Sequence, residues 1–166
     1  MAATFLLIPP TNRAQDSSWS FPFQEYWDMA RELNVLVVDD DPIDQRLISS
    51  ALRKCSDTIN IRIADGGVEA LDSFSREGVP DLVVTDIKMP GIDGHQLVDL
   101  IRGTPKYCCV PVVAYSTSMD EQDIRSAYME GANAYIVKPS SQANYIEVGR
   151  AIIDFWTKTA ELPRLN

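Results

Sequence analysis

Val35-Leu36-Val37-Val38-Asp39-Asp40-Asp41-Pro42 runs from unbroken apolar residues into three carboxylates and a proline. Consecutive branched apolar side chains read as a strand buried on both faces. Asp41 before Pro42 reads as a helix start, because Asp is a favoured N-cap and Pro is tolerated at the first helical position. The unit is strand, acidic turn, helix, and outward from it the unit repeats. Apolar runs recur at Ile59–Ile63 (alternating), Leu82–Thr85, Val112–Tyr115 and Ala134–Val137. Helical stripes lie between them: Ile43, Leu47, Ala51 and Leu52; Val68, Leu71 and Phe74, ended near Gly78; Leu97, Leu100 and Ile101, stopped by Gly103 and Pro105; Ile124, Ala127 and Tyr128, closed by Gly131. A last helix spans Ala143 to about Thr159. Five such alternations predict an α/β fold, a doubly wound five-stranded parallel sheet of flavodoxin-like order 2-1-3-4-5. Its ligand site belongs outside the carboxyl ends of the strands, at the switch point between strands one and three.

Composition narrows the function class. The 166 residues carry 15 Lys+Arg against 24 Asp+Glu, a formal charge of −9, which repels a phosphate backbone and argues against DNA as a partner. No apolar run approaches the ~20 residues of a membrane span. Phe5–Ile8 is too short for a signal peptide and has no basic residue before it, so a cytoplasmic protein is expected. Residues 1–32 lack a sustained period, include Pro9, Pro10 and Pro22, and read as a poorly ordered N-terminal extension; residues 34–158 form the domain and 159–166 a tail. The extension is nonetheless aromatic, with Phe5, Trp19, Phe21, Phe23, Tyr26 and Trp27, and Met29 is a candidate native start. Cys55, Cys108 and Cys109 cannot form a disulfide framework and are read as buried thiols near strands.

Reading the strand ends gives chemistry. Strand one ends in Asp39-Asp40-Asp41, strand three in Asp86, strand four in Ser116 and strand five in Lys138-Pro139. Any one Asp after a strand is ordinarily a helix cap, and Asp41 is read as only that. As a set, carboxylates converging on the switch point repel one another unless a cation intervenes. Hard oxygen donors without nearby His or Cys suit Mg²⁺. With a lysine and a hydroxyl beside them, they make a phosphoryl-transfer site in which a carboxylate is the nucleophile.

These blocks, with Asp81-Leu-Val-Val-Thr-Asp86-Ile-Lys-Met-Pro90-Gly-Ile-Asp-Gly94, Pro111-Val-Val-Ala-Tyr-Ser116 and Gly131-Ala-Asn-Ala-Tyr-Ile-Val-Lys138-Pro139, resemble the receiver domain of bacterial two-component response regulators over about residues 34–158. The resemblance implies a phosphoacceptor at Asp86, charged by a sensor histidine kinase. It implies Mg²⁺ held by Asp40 and Asp86 directly, by Asp39 through water and by the backbone carbonyl of Lys88. Lys138 would neutralise the phosphoryl oxygens, its bond to Pro139 cis; Ser116 would donate to the phosphoryl group, and Tyr135 would rotate into the space it vacates. The readout would be a two-state surface of the fourth helix, fifth strand and fifth helix. Three departures stand out: Thr117 is bulky beside Ser116, Ser140 replaces an aromatic, and Lys88 adds a cation two residues past the acceptor. His95, the one histidine, reads as a partly exposed residue at a helix start.

Two rival readings come from other classes. A haloacid-dehalogenase-type phosphatase would use Asp39 as nucleophile and Asp41 as acid/base, leaving Asp86-Ile-Lys-Met-Pro-Gly unexplained. A receiver-fold interaction module without phosphorylation would leave the charge cluster unused, against its burden on stability. With the last helix running to about Thr159, there is no room before Asn166 for an output domain, so a stand-alone regulator that signals by binding is expected. Asp154-Phe-Trp-Thr-Lys-Thr-Ala-Glu-Leu-Pro163 resembles the tail of regulators paired with bacterial phytochrome histidine kinases, which implies a homodimer. Its last helix carries two adjacent apolar stripes where one suffices, which predicts an exposed partner patch at Ile152, Phe155 and Trp156.

Overall fold

The computed structural model describes residues 32–163; the extension before them, with Met29 and the aromatic leader, and residues 164–166 lie outside the described residues. The elements run β1 (Leu33–Val38), α1 (Pro42–Cys55), β2 (Ile59–Ala64), α2 (Gly67–Glu77), β3 (Leu82–Thr85), α3 (Gly94–Gly103), β4 (Val112–Ser116), α4 (Glu121–Met129), β5 (Ala134–Val137) and α5 (Gln142–Asp154). A π-helical turn, Phe155–Thr159, continues α5. All strand pairs are parallel, in the order β2-β1-β3-β4-β5 expected of the doubly wound fold.

Alternation along the strands sends side chains to two cores. Val35 and Val37 of β1, Val84, Val113 and Tyr115 meet Ile48 and Leu52 of α1 and Tyr145, Ile152 and Ile153 of α5. Leu36, Val38, Val83 and Val112 face the other way, onto Ala70 and Phe74 of α2 and Leu97, Val98 and Ile101 of α3. A smaller cluster of Ile87, Ala114, Ala127 and Ala132 lies under α4, with Tyr135 against it.

Several expectations need correction. Ile43, Val68, Leu100 and Tyr128 belong to the expected helical stripes but are exposed, and Val98 takes a core position beside Leu97 instead. The buried stripes are narrower at their edges than periodicity suggests. Ile152 is only 3% exposed, so it belongs to the core and not to a partner patch. Gly149 is the reason: a Cβ there would sit 3.0 Å from the Ala51 carbonyl carbon, so glycine lets α5 lie close on α1 and bury Ile152 and Ile153 together. Trp156 packs against the same core, while Phe155 is 50% exposed and meets the Trp156 ring edge-to-face. The cysteines are free, but none is fully buried: Cys55 and Cys108 are half-buried, and Cys109 is exposed in the turns between α3 and β4. The Lys138–Pro139 bond is trans, as no peptide bond among the described residues is cis, and trans is the default for X–Pro.

Candidate functional site

The carboxyl ends of β1, β3, β4 and β5 bring the sequence-nominated residues to one end of the sheet. Asp39 follows β1 and is 2% exposed; Asp86 follows β3 and is 9% exposed; Asp40 is open to solvent. One carboxylate oxygen of each lies within 4.8 Å of the others. Three hard oxygen donors with no His or Cys among them fit a magnesium-type divalent cation. Asp41 stands apart as the α1 N-cap, its Oδ1 accepting from the Ile43 N–H at 2.7 Å.

Local hydrogen bonds aim these groups. Asp39 Oδ1 accepts from the Asp41 N–H at 2.9 Å, and the Gln45 amide donates to the Asp39 carbonyl at 2.6 Å. Asp86 Oδ1 accepts from the Ile87 N–H at 2.7 Å, which leaves Oδ2 facing Lys138 Nζ at 3.5 Å. The ammonium sits closer to two other carboxylates, Asp39 Oδ2 at 2.7 Å and Asp44 Oδ2 at 2.9 Å.

Burial pushes the Asp39 carboxyl above its ordinary range, against the downward pull of the hydrogen bond from Lys138. Burial alone would lower the Lys138 ammonium; the hydrogen bonds to Asp39 and Asp44, with the charges of Asp39 and Asp86, outweigh it and hold the group above the ordinary lysine range. Lys138 therefore remains a cation throughout the physiological range.

Ser116 is buried at the end of β4, and its hydroxyl accepts from the Ser118 N–H at 3.3 Å. Tyr135, in β5, donates its hydroxyl to the Ser118 carbonyl at 3.0 Å. The β4–α4 loop thus joins the two nominated switch residues through one backbone unit. Sequence reading missed Ser118, which carries no sign of that role. The Lys88 side chain does not stand over Asp86: it is exposed and pairs with Asp123 of α4 at 3.1 Å. His95 is part-buried and meets Glu130 Oε2 at 2.5 Å, joining the start of α3 to the end of α4. Asp44 was also missed, although its place in the first turn of α1, just past the strand-one carboxylates, was the available signal.

Known proteins share this fold. Response regulator Rcp1 of Synechocystis is 27% identical over 135 residues, 78% of this chain and 92% of Rcp1. The Mn²⁺-bound form of Rcp1 superposes with a TM-score of 0.70 at 26% identity, covering 80% of this chain and 99% of that one. The phosphorylated cyanobacterial phytochrome response regulator RcpA matches with a TM-score of 0.73 and 30% identity, covering 80% and 99%. RPA3017, from red light signalling in R. palustris, gives a TM-score of 0.72 and 32% identity over the same shares. The pattern of the response regulator receiver domain matches residues 35–148, and the chain belongs to that family.

Proposed function

We propose that this protein accepts a phosphoryl group on Asp86 from the phosphohistidine of a sensor histidine kinase, with Mg²⁺ present, and signals by switching its α4–β5–α5 surface. The observation that carries this reading is the placement of Asp86 Oδ2, free of the backbone bond that holds Oδ1 and facing Lys138 beside two further carboxylates. Asp39, Asp40 and Asp86, with the carbonyl of Lys88, would hold the cation. When bound, it neutralises charge on the phosphoryl oxygens.

In the step itself an Asp86 oxygen attacks phosphorus. The P–O bond forms as the P–N bond breaks, and the imidazole leaves with that electron pair, neutral because its other nitrogen keeps its proton. Lys138 meets the incoming oxygens as a fixed cation. Ser116 turns its hydroxyl to a phosphoryl oxygen and leaves Ser118; Tyr135, tied to the same backbone unit and packed on the cluster under α4, follows inward. The change reaches α4 and β5 through that loop. The protein in this reading is a signalling phosphoacceptor, acting only on its own phosphoryl group.

The similarity to RcpA, a cyanobacterial phytochrome response regulator, supports a phytochrome-type kinase as the donor. Exposed Phe155 beside Trp156 supports self-association through the end of α5. Incubation with radiolabelled acetyl phosphate and Mg²⁺ tests the central claim. Label should vanish in Asp86→Asn; label that persists there and is lost in Asp39→Asn would instead support the phosphatase chemistry.

A further inference from the structure

Lys138 has more partners than phosphoryl chemistry on Asp86 calls for. Its ammonium is hydrogen-bonded to Asp39 and to Asp44, and it stands farther from Asp86 than from either. Asp44 is no part of the cation-holding set; it belongs to α1, and only 22% of its side chain is exposed. Its other oxygen, Oδ1, accepts from the Tyr145 hydroxyl at 3.3 Å. Tyr145 lies near the start of α5, is buried, and meets the Tyr115 ring edge-to-face at 6.4 Å. A continuous polar chain therefore runs from the site lysine through Asp44 to α5, separate from the Ser116–Ser118–Tyr135 connection.

We propose that Asp44 is a positioning residue that latches Lys138 on the Asp39 side of the site and couples that latch to the first turns of α5 through Tyr145. The proposal rests on the phosphoacceptor reading of Asp86. A phosphoryl group on Asp86, fully ionised, brings one more negative charge than the carboxylate it modifies, and it draws the ammonium across the site. Lys138 has three N–H donors, and two are engaged by Asp39 and Asp44. Approach to the phosphoryl oxygens lengthens the Asp44 bond, because Asp44 lies on α1 and cannot follow. Freed of its cation, the Asp44 carboxylate turns to water and its bond to Tyr145 weakens. The first turns of α5 loosen as a result. Linkage makes the coupling reciprocal: a partner that holds Tyr145 in place opposes phosphorylation.

Hydrogen exchange of the full chain with Mg²⁺, with and without beryllofluoride as the phosphoryl mimic, tests the latch. In wild type, exchange in peptides covering residues 142–149 should rise by about fivefold when beryllofluoride binds, the low end of an ordinary allosteric coupling. Asp44→Asn keeps the shape and removes the charge; Tyr145→Phe removes only the hydroxyl. Both should show fast exchange there already, with little further change, and Asp44→Asn should also take label from acetyl phosphate faster than wild type. A wild-type exchange response in both variants overturns the latch. So does label on wild-type Asp86 with no exchange change in residues 142–149. Wild type that takes no label at all overturns the phosphoacceptor reading, and the latch with it.

Discussion

Replacing Gly94 by alanine probes how the backbone of Asp86 is held. Gly94 opens α3, and its N–H donates to the Ile87 carbonyl at 2.9 Å, so the helix start is tied to the residue after the acceptor. What glycine supplies here is space. A Cβ would lie 2.1 Å from the Asp86 carbonyl oxygen and 2.7 Å from the Ile87 Cα. Both obstacles are backbone, so no flexible side chain can swing aside. Ordinary contact begins at 3.4 Å, so the helix start and the acceptor strand must part by about 1.3 Å. Overpacking of this kind costs about 1–3 kcal/mol. Alanine returns at most ~1 kcal/mol in helix propensity. With that return in full, a net loss of up to about 2 kcal/mol shifts a urea midpoint by up to about 1 M for a domain of this size.

The chemical consequence is larger than the thermodynamic one. A displacement of about 1 Å at a reacting group costs on the order of 100-fold in rate. Gly94→Ala should therefore be labelled by acetyl phosphate about 100-fold more slowly than wild type while still folded. Gly103→Ala, at the other end of the same helix, is the control, since a Cβ there meets nothing within 4 Å. It should be neutral or stabilising by up to about 1 kcal/mol, with labelling unchanged. Urea melts followed by circular dichroism, with label incorporation on the same samples, read both quantities. If Gly94→Ala matches Gly103→Ala in midpoint and labelling rate, close packing of α3 on the Asp86 backbone does not position the acceptor.

Other substitutions test other parts of the reading. Mg²⁺ at about 100 times its dissociation constant should stabilise the fold by about 2.7 kcal/mol, and Asp40→Asn should lose most of that gain in a thermal melt; an undiminished gain would place the cation elsewhere. Ile152→Ala should cost about 2–5 kcal/mol because the side chain is in the core. Phe155→Ala should leave stability nearly unchanged yet shift sedimentation toward monomer; an unchanged oligomeric state removes Phe155 from the interface. Asp39 gives a pH signature. Its carboxyl is raised in the folded protein above 3.8, so the folded state binds the extra proton and stability falls as pH rises from about that value through the folded one, then levels off. Urea midpoints in Mg²⁺-free buffer should show that slope in wild type and lose it in Asp39→Asn.

The strand ends were legible because topology does the assembling. In a parallel sheet every carboxyl end points the same way, so residues far apart in sequence, such as Asp39, Asp86, Ser116 and Lys138, need only follow a strand to share an edge. Strand type followed from apolar runs too short for helices, and strand order from right-handed crossovers together with the resemblance to receiver domains. Contacts made by helix phase were not legible in the same way. Asp44 reaches Lys138, and His95 reaches Glu130, only because of how α1 and the α3–α4 pair are rotated against their neighbours. Nothing in spacing along one helix reports the rotation of another. The surplus stripe on α5 shows the same limit from the apolar side. Two adjacent isoleucines looked like more than one face could bury, until close approach at Gly149 widened that face.

The charge inventory of the site explains why its burdens and its chemistry come together. One buried ammonium serves Asp39, Asp44 and Asp86, with Asp40 beside them, while the nearby Lys88 is committed to Asp123. Negative charge therefore exceeds positive at the switch point; burial, with a smaller push from the Asp86 charge, raises the Asp39 carboxyl, and the cluster is a local weakness in the fold. The same excess attracts a divalent cation, and that cation makes room for a phosphoryl group that the carboxylates alone would repel. Removing Lys138 should then do more than slow the chemistry. Lys138→Met leaves buried Asp39 without its cation, a loss of about 3–5 kcal/mol for a broken buried pair, which is more than a rate-enhancing group at an exposed site would give up. If Asp39→Asn in the Lys138→Met background restores most of that stability, the lysine is held by the pair it makes with Asp39. Its distance of 3.5 Å from Asp86 Oδ2 is then a resting position from which it is recruited.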